Sequence, residues 1–202
     1  MGATPSHPIL AATLDWAMRP LEDARRLVVP DAAGRVLELG VGTGLNLPFY
    51  GSDVTMLVGI EPDPHMLARA RTRFATLHTP AALVQADAEQ LPFADAAFDT
   101  VLVTFTLCTI PDPLAALCAL RRVLRPDGRL LFLEHARSPQ AGVAHLQDAV
   151  TPLWRRVLGG CHPNRDAAAL IARAGLRLGD VTAIGRDRWT LLPIYRGTAT
   201  LA

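Results

Sequence analysis

Val36-Leu37-Glu38-Leu39-Gly40-Val41-Gly42-Thr43-Gly44 decides the fold. An apolar run short enough for one buried strand ends in closely spaced glycines. Leu45–Tyr50 then reads as a short helix. Glycines at 40 and 42 let the backbone turn sharply and approach a ligand with no Cβ in the way. The spacing is G-x-G-x-G, whereas the dinucleotide fingerprint G-x-G-x-x-G wants a glycine where Leu45 stands. By itself such a turn serves equally well as a purely structural strand-to-helix connection.

Outward from this stretch, strands and helices alternate. Strands are expected at Arg35–Leu39, Val54–Ile60, Ala82–Ala86, Thr100–Thr104 and Leu130–Glu134, with helical or loop segments at Leu45–Tyr50, Pro64–Leu77, Glu89–Leu91 and Pro113–Val123. Val101-Leu102-Val103 and Leu130-Leu131-Phe132-Leu133 are apolar throughout, as parallel strands covered on both faces should be. Right-handed crossovers then give an open, doubly wound α/β sheet. Before it, His7–Val29 has helical apolar spacing with a break at Pro20. After it, Asp166–Ala174 reads as a helix ended by Gly175. Arg177–Ile184 and Trp189–Thr198 read as an antiparallel hairpin turning at Gly185–Arg188, where a nicotinamide-type domain would add another parallel unit.

The 202 residues, half of them hydrophobic, suit one α/β domain. We divide it into an N-terminal helical lid (1–33), a cofactor-binding core (34–136), a substrate-covering insert (137–166) and a terminal helix with hairpin (167–202). Twenty basic and 19 acidic residues leave a net charge of +1, which gives no electrostatic case for nucleic acid. Cys108, Cys118 and Cys161 are odd in number and form no C-x-x-C pair, so neither a disulfide framework nor a metal site is expected. No apolar run reaches transmembrane length and no signal peptide is evident. The expectation is a cytoplasmic protein without an integral membrane segment that acts on a small molecule.

Two acids add to the glycine turn. Glu61 ends the second strand, about 20 residues past the first glycine, where a carboxylate can accept from both hydroxyls of a ribose; an exposed strand-end acid is the alternative. Asp87 follows the third strand, where it can accept from an adenine amino group or cap a short helix. All three features fall at the carboxyl ends of consecutive strands, where doubly wound sheets bind ligands.

Leu37–Gly44, Gly59-Ile60-Glu61-Pro62, Asp87–Phe93, Phe98–Val101 and Leu124–Leu130 resemble, in order, the motifs of class I S-adenosylmethionine-dependent methyltransferases. The resemblance covers residues 34–136. It implies the Rossmann-like fold of that class and S-adenosyl-L-methionine as cofactor. Gly40, Gly42 and Asn46 would lie along the methionine part, Glu61 and Pro62 at the ribose, Asp87 and Ala88 at the adenine, and Thr104 beneath the sulfonium. Arg125–Gly128 would be a turn into strand five.

Methyl transfer asks the protein mainly for proximity, alignment and dryness, and a thiol needs little help to ionise. The segments expected to face the methyl group offer His7, Thr106, Leu107, Cys108, Glu134, His135, Trp154, Cys161, His162 and Asn164. Of these, His135 is the candidate base, or else a histidine that hydrogen-bonds the insert. His7, Leu107, Trp154 and His162 are the candidate substrate contacts. Cys108 and Cys161 read as small packing residues.

Thr106-Leu107-Cys108-Thr109, Leu133-Glu134-His135, Pro152-Leu153-Trp154, Gly160-Cys161 and Pro193-Ile194-Tyr195 are similar to the methyltransferase-like seven group of small thiol methyltransferases and their bacterial relatives. That resemblance implies S-methylation of a small-molecule thiol, such as a redox-active natural-product dithiol. The alternatives are a C- or O-methyltransferase on a quinone or phenol precursor, or a phospholipid N-methyltransferase. A non-catalytic nucleotide-binding protein is the remaining class, and intact Glu61 and Asp87 speak against it.

Overall fold

A computed structural model describes residues 6–185 and 191–202. Seven strands form one sheet: β1 (Gly34–Leu39), β2 (Val54–Ile60), β3 (Ala81–Val84), β4 (Phe98–Thr104), β5 (Leu124–His135), β6 (Leu176–Ile184) and β7 (Ile194–Leu201). Their order is β3-β2-β1-β4-β5-β7-β6. Strands β1 to β5 pair in parallel, and β7 lies antiparallel to both β5 and β6. This is the Rossmann-like sheet with the expected terminal antiparallel hairpin.

Helices cover both faces: α1 (Pro8–Ala17), α2 (Glu22–Arg26), α3 (Pro64–Phe74), α4 (Pro113–Val123), α5 (Ala141–Val157) and α6 (Ala167–Arg173). Asp63 and Asp112 cap α3 and α4, each accepting from two backbone N–H groups of the first turn, with proline next in sequence. Alternation along the strands sorts the core into two layers. Leu37, Leu39, Val101, Val103, Leu130 and Phe132 pack with Leu117, Leu120 and Val123 of α4 and Ile171 of α6. Val36, Leu57, Leu102, Leu131 and Leu133 pack on the opposite face with Val28, Val29 and Ala32.

Several boundaries differ from the sequence reading. The N-terminal helix breaks at Pro20 as expected, into two short helices joined by a 3-10 turn at Arg19–Leu21, but it ends at Arg26 rather than Val29. Leu45–Tyr50 keeps only a 3-10 turn at Leu47–Phe49, and no helix forms at Glu89–Leu91. The Arg125–Gly128 stretch belongs to β5, whose register against β4 jumps from Phe98↔Leu124 to Thr100↔Arg129. The expected strand Trp189–Thr198 begins later, at Ile194; Trp189, Thr190 and residues 186–188 of the expected turn lie outside the described residues.

The expected insert is mostly helix α5. Gln147 on its inner face is fully buried and ties four segments together. Its Nε2 donates to the carbonyls of Ala136, Pro163 and Leu191 at 2.9–3.1 Å, and its Oε1 accepts from Ser138 N at 2.8 Å.

Candidate functional site

The glycine turn is built where the first strand leaves the sheet. Gly40 and Gly42 have φ of +67° and +56°, the left-handed region that costs glycine nothing. At Gly40 a Cβ would also stand 2.4 Å from Thr106 Cγ2, so this turn and the end of β4 are in contact. Glu61, at the end of β2, is buried and accepts from Gly42 N and Asp63 N, each at 3.0 Å. Burial pushes its pKa up, against the opposing pull of those two N–H groups. A carboxylate has about four lone-pair sites, so two remain for a ribose diol. Pro62 lies beside it, with its carbonyl accepting from Gln85 Nε2 at 3.0 Å. Asp87 is exposed and caps no helix; its carbonyl accepts from Gln90 N in a turn, and Ala88 is buried. These positions, on adjacent strand ends, fit an adenosine-type cofactor.

Asn46 is almost wholly engaged within the protein. Its Nδ2 donates to Glu38 Oε1 at 2.7 Å and Thr104 Oγ1 at 2.9 Å, while its Oδ1 accepts from Arg25 Nη1 at 2.6 Å. Tyr50 Oη donates to the other Glu38 oxygen at 2.7 Å. Burial raises the Glu38 pKa to about 7, although Tyr50, Asn46 and Arg25 all favour the ionised form. Asn46 and Thr104 thus brace the glycine turn against β4 through a buried polar network. Sequence reasoning missed Glu38, Tyr50 and Arg25. Its available signal was an acid inside an otherwise apolar strand, which must find partners when buried.

The N-terminal segment is tied to this turn through Asp15. Asp15 of α1 accepts from Thr43 Oγ1 at 2.5 Å and pairs with Arg69 and Arg73 of α3 at 3.0 and 2.7 Å. Despite burial, those arginines and Thr43 hold the Asp15 carboxyl at about 2. His7 donates its backbone N–H to Asp63 at 2.6 Å and sets Nδ1 3.1 Å from the same oxygen. Expected at the substrate, His7 instead sits beside Glu61, separated from the β5 end by β1 and β4.

A second group of side chains gathers at the ends of β4 and β5. Phe105, just after β4, has φ of +53°, a conformation a bulky residue adopts only when its surroundings force it. Glu134 is fully buried and accepts from Thr106 N and Leu107 N at 2.7 and 3.0 Å, holding that turn. Burial drives its pKa up to about 7, while His135 draws it down. Leu107 is 1% exposed and belongs to the main core, so it is no substrate contact: its backbone is pinned to Glu134 and its side chain faces inward.

His135 reaches the expected strand end, but it presents no free base. Its Nε2 lies 3.1 Å from Cys161 Sγ, and Nδ1 is buried with no partner among the described residues. Burial is the largest influence and lowers the imidazole pKa, but the Cys161 hydrogen bond and charge together with Glu134 raise it overall. Cys108 is buried close by, its thiol donating to Phe105 O at 3.6 Å; the neighbouring Cys108 sulfur and the imidazole lower the Cys161 pKa, while the Cys108 thiol is pushed up. His162 supports this pocket from behind: its N–H donates to Cys108 O at 2.8 Å, and Nδ1 is 3.2 Å from the same carbonyl. Trp154 is half-buried with its indole nitrogen turned inward beside Cys161. Arg165 Nη1 closes the floor with hydrogen bonds to Leu107 O and Ile110 O. Two cysteines expected as separate packing residues therefore share one site with the expected catalytic histidine. Sequence spacing concealed this, because the three come from a turn, a strand end and a distant loop.

The sequence matches a family model described as "Methyltransferase domain" over residues 37–132. The chain carries a methyltransferase domain. Thiol S-methyltransferase TMT1B of Rattus norvegicus is 34% identical to this methyltransferase-domain chain over 145 residues, covering 69% of it and 58% of the relative. Phosphatidylethanolamine N-methyltransferase of Cereibacter sphaeroides is 38% identical over 119 residues, 58% of each chain. The chain thus spans just under three-fifths of the length of these relatives. A solved SAM-dependent methyltransferase from Aquifex aeolicus shares the fold, with a TM-score of 0.69 at 20% identity, over 97% of this chain and 99% of that one.

Proposed function

We propose that this chain is an S-adenosylmethionine-dependent methyltransferase that methylates the sulfur of a small-molecule thiol. One observation carries the cofactor assignment: the Gly40–Gly44 turn, Glu61, Asp87 and Thr104 occupy the carboxyl ends of four adjacent parallel strands. When bound, the cofactor supplies an electrophilic methyl group on a sulfonium sulfur. Glu61 would accept from the ribose hydroxyls with the lone pairs that Gly42 and Asp63 leave free. Asp87 and Ala88 would hold the adenine, and the backbone of Gly40 and Gly42 would border the methionine part. Thr104 and Phe105 would wall the methyl group. Asn46 positions the turn through Glu38 and Thr104 rather than touching the ligand.

The acceptor assignment draws on the sulfur-rich wall of Cys108 and Cys161 with His135, and on the thiol-methylating relative. A thiol is already partly ionised near neutral pH, so the chain's task is to exclude water and align the sulfur. His135 enters as the group that holds Cys161, with Trp154 bordering the acceptor. A second reading, methylation of a lipid-like acceptor such as a quinone precursor or phospholipid, is favoured by the exposed Ile9, Trp16, Leu153 and Val157 on α1 and α5. The deciding experiment incubates the protein and methyl donor with a dithiol, a catechol, a demethylated quinone and phosphatidylethanolamine, and measures the demethylated cofactor released. Turnover confined to the dithiol supports the thiol reading, and turnover confined to any other acceptor overturns it.

A further inference from the structure

Cys108, His135 and Cys161 each offer one ligand-type atom, and these atoms all lie within 4.8 Å of one another. We propose that these three side chains form a zinc site with one coordination position left for a water or an exogenous thiolate. Zinc takes thiolate sulfur at ~2.3 Å and imidazole nitrogen at ~2.0–2.1 Å in a tetrahedron. Such bond lengths put neighbouring ligand atoms roughly 3.6–3.8 Å apart. His135 Nε2 and Cys161 Sγ stand at 3.1 Å, so the pair needs to open by only about half an ångström to admit the ion. Two sulfurs and one imidazole are the donors this ion prefers, and three protein ligands with an open fourth position is its usual arrangement where it does chemistry.

The ligands are held before any ion arrives. His135 is fixed by the pairing of β5 with β7, opposite Ile194. Cys108 is fixed by its carbonyl, which accepts from His162 N, and Cys161 by its own N–H to Leu158 O at 3.0 Å. Gly159 and Gly160, both at positive φ, bend the chain after α5 so that Cys161 faces inward. Charge supports the same conclusion. On binding zinc, Cys108 and Cys161 would each give up a proton, and the two positive charges of the ion would balance the two thiolates so formed. A buried cluster of unpaired charge would be costly. This inference stands apart from the acceptor: zinc binding needs neither methyl donor nor thiol substrate. It deepens the thiol reading only at the fourth position, where a substrate thiol would lose its proton on binding the metal rather than to a free base.

The test titrates the chelator-stripped, reduced 202-residue chain with zinc against a chromophoric chelator, then repeats the titration with cobalt to detect thiolate-to-metal absorption. One equivalent of zinc should bind, with a thiolate–cobalt band. Cys161→Ser and His135→Ala should each weaken binding by more than the roughly 10–100-fold that losing a mere supporting partner costs. Cys118→Ser, at an exposed cysteine, should leave it unchanged. Zinc should also shield the partly exposed Cys161 of the unaltered protein from alkylation while Cys118 reacts, a readout that survives if a variant fails to fold. No binding by the unaltered protein, equal binding by the variants, or alkylation unaffected by zinc would overturn the proposal. Thiol methylation that persists in metal-free protein with no zinc affinity would sink the zinc site alone; zinc binding without turnover on thiols would sink the acceptor assignment alone.

Discussion

Glu38→Gln should change how stability depends on pH more than it changes stability itself. The Glu38 side chain is about 1% exposed in the β1 strand and its pKa rises from an ordinary 4.5 to about 7, burial being the largest cause. Between those values the folded chain holds a proton that the unfolded chain has released. Stability from this group is therefore complete below about pH 4.5 and is lost as pH rises toward 7. At ~1.4 kcal/mol per unit, the gap corresponds to about 3 kcal/mol at most. Arg25, Asn46 and Tyr50 move with the carboxylate as one network, so about 1–3 kcal/mol is the expected loss between pH 5 and 8. Glutamine keeps the shape and one acceptor but cannot titrate. Its amide can face Tyr50, whose hydroxyl can turn to accept. Glu134 rises to about 7 in the same way and contributes the same slope to both proteins, so the difference between them isolates Glu38. Denaturant unfolding of both proteins at pH 5, 6, 7 and 8 measures this directly. The unaltered protein should lose stability steadily over the range while Glu38→Gln loses less, the two curves converging or crossing toward pH 8. Parallel curves would refute the reasoning, because they would mean that Arg25 and the two donors keep Glu38 ionised throughout.

Glu61→Ala should weaken S-adenosylmethionine binding about tenfold or more, since charge-assisted hydrogen bonds contribute roughly 1.5–3 kcal/mol each; an unchanged dissociation constant by calorimetry would remove Glu61 from the ribose. Gly40→Ala places a Cβ 2.4 Å from Thr106 Cγ2 at positive φ, so melting temperature and cofactor affinity should fall together, whereas a variant with normal affinity would show that the turn tolerates side chains. Gln147→Ala strands three carbonyls and one N–H; at ~1–3 kcal/mol per unsatisfied buried group, partly relieved by water, unfolding free energy should drop by about 2–4 kcal/mol, and proteolysis should attack α5 first. A drop below about 1 kcal/mol would mean that α5 is held mainly by apolar packing.

The sequence by itself determined the parts whose signals are local. Apolar strands of five to seven residues, the glycines at 40 and 42 and the acids at 61 and 87 each report on their own few neighbours. Together with strand order they place a cofactor cleft at the strand ends. The terminal hairpin was legible for the same reason, since short alternating segments after Gly175 cannot make another crossover unit. Tertiary structure alone decided what meets across the sheet. Nothing local in Cys108, His135 or Cys161 shows that a turn, a strand end and the loop after a 17-residue helix converge on one point. Leu107 looked like a pocket wall and is core, because Glu134 pulls its backbone inward. His7 looked like a substrate contact and is Asp63's partner, because α1 crosses the glycine turn toward β2. In each case the outcome rests on satisfying buried polar groups far apart in sequence. Partners for such groups are chosen by three-dimensional proximity, which residue spacing along one chain does not encode.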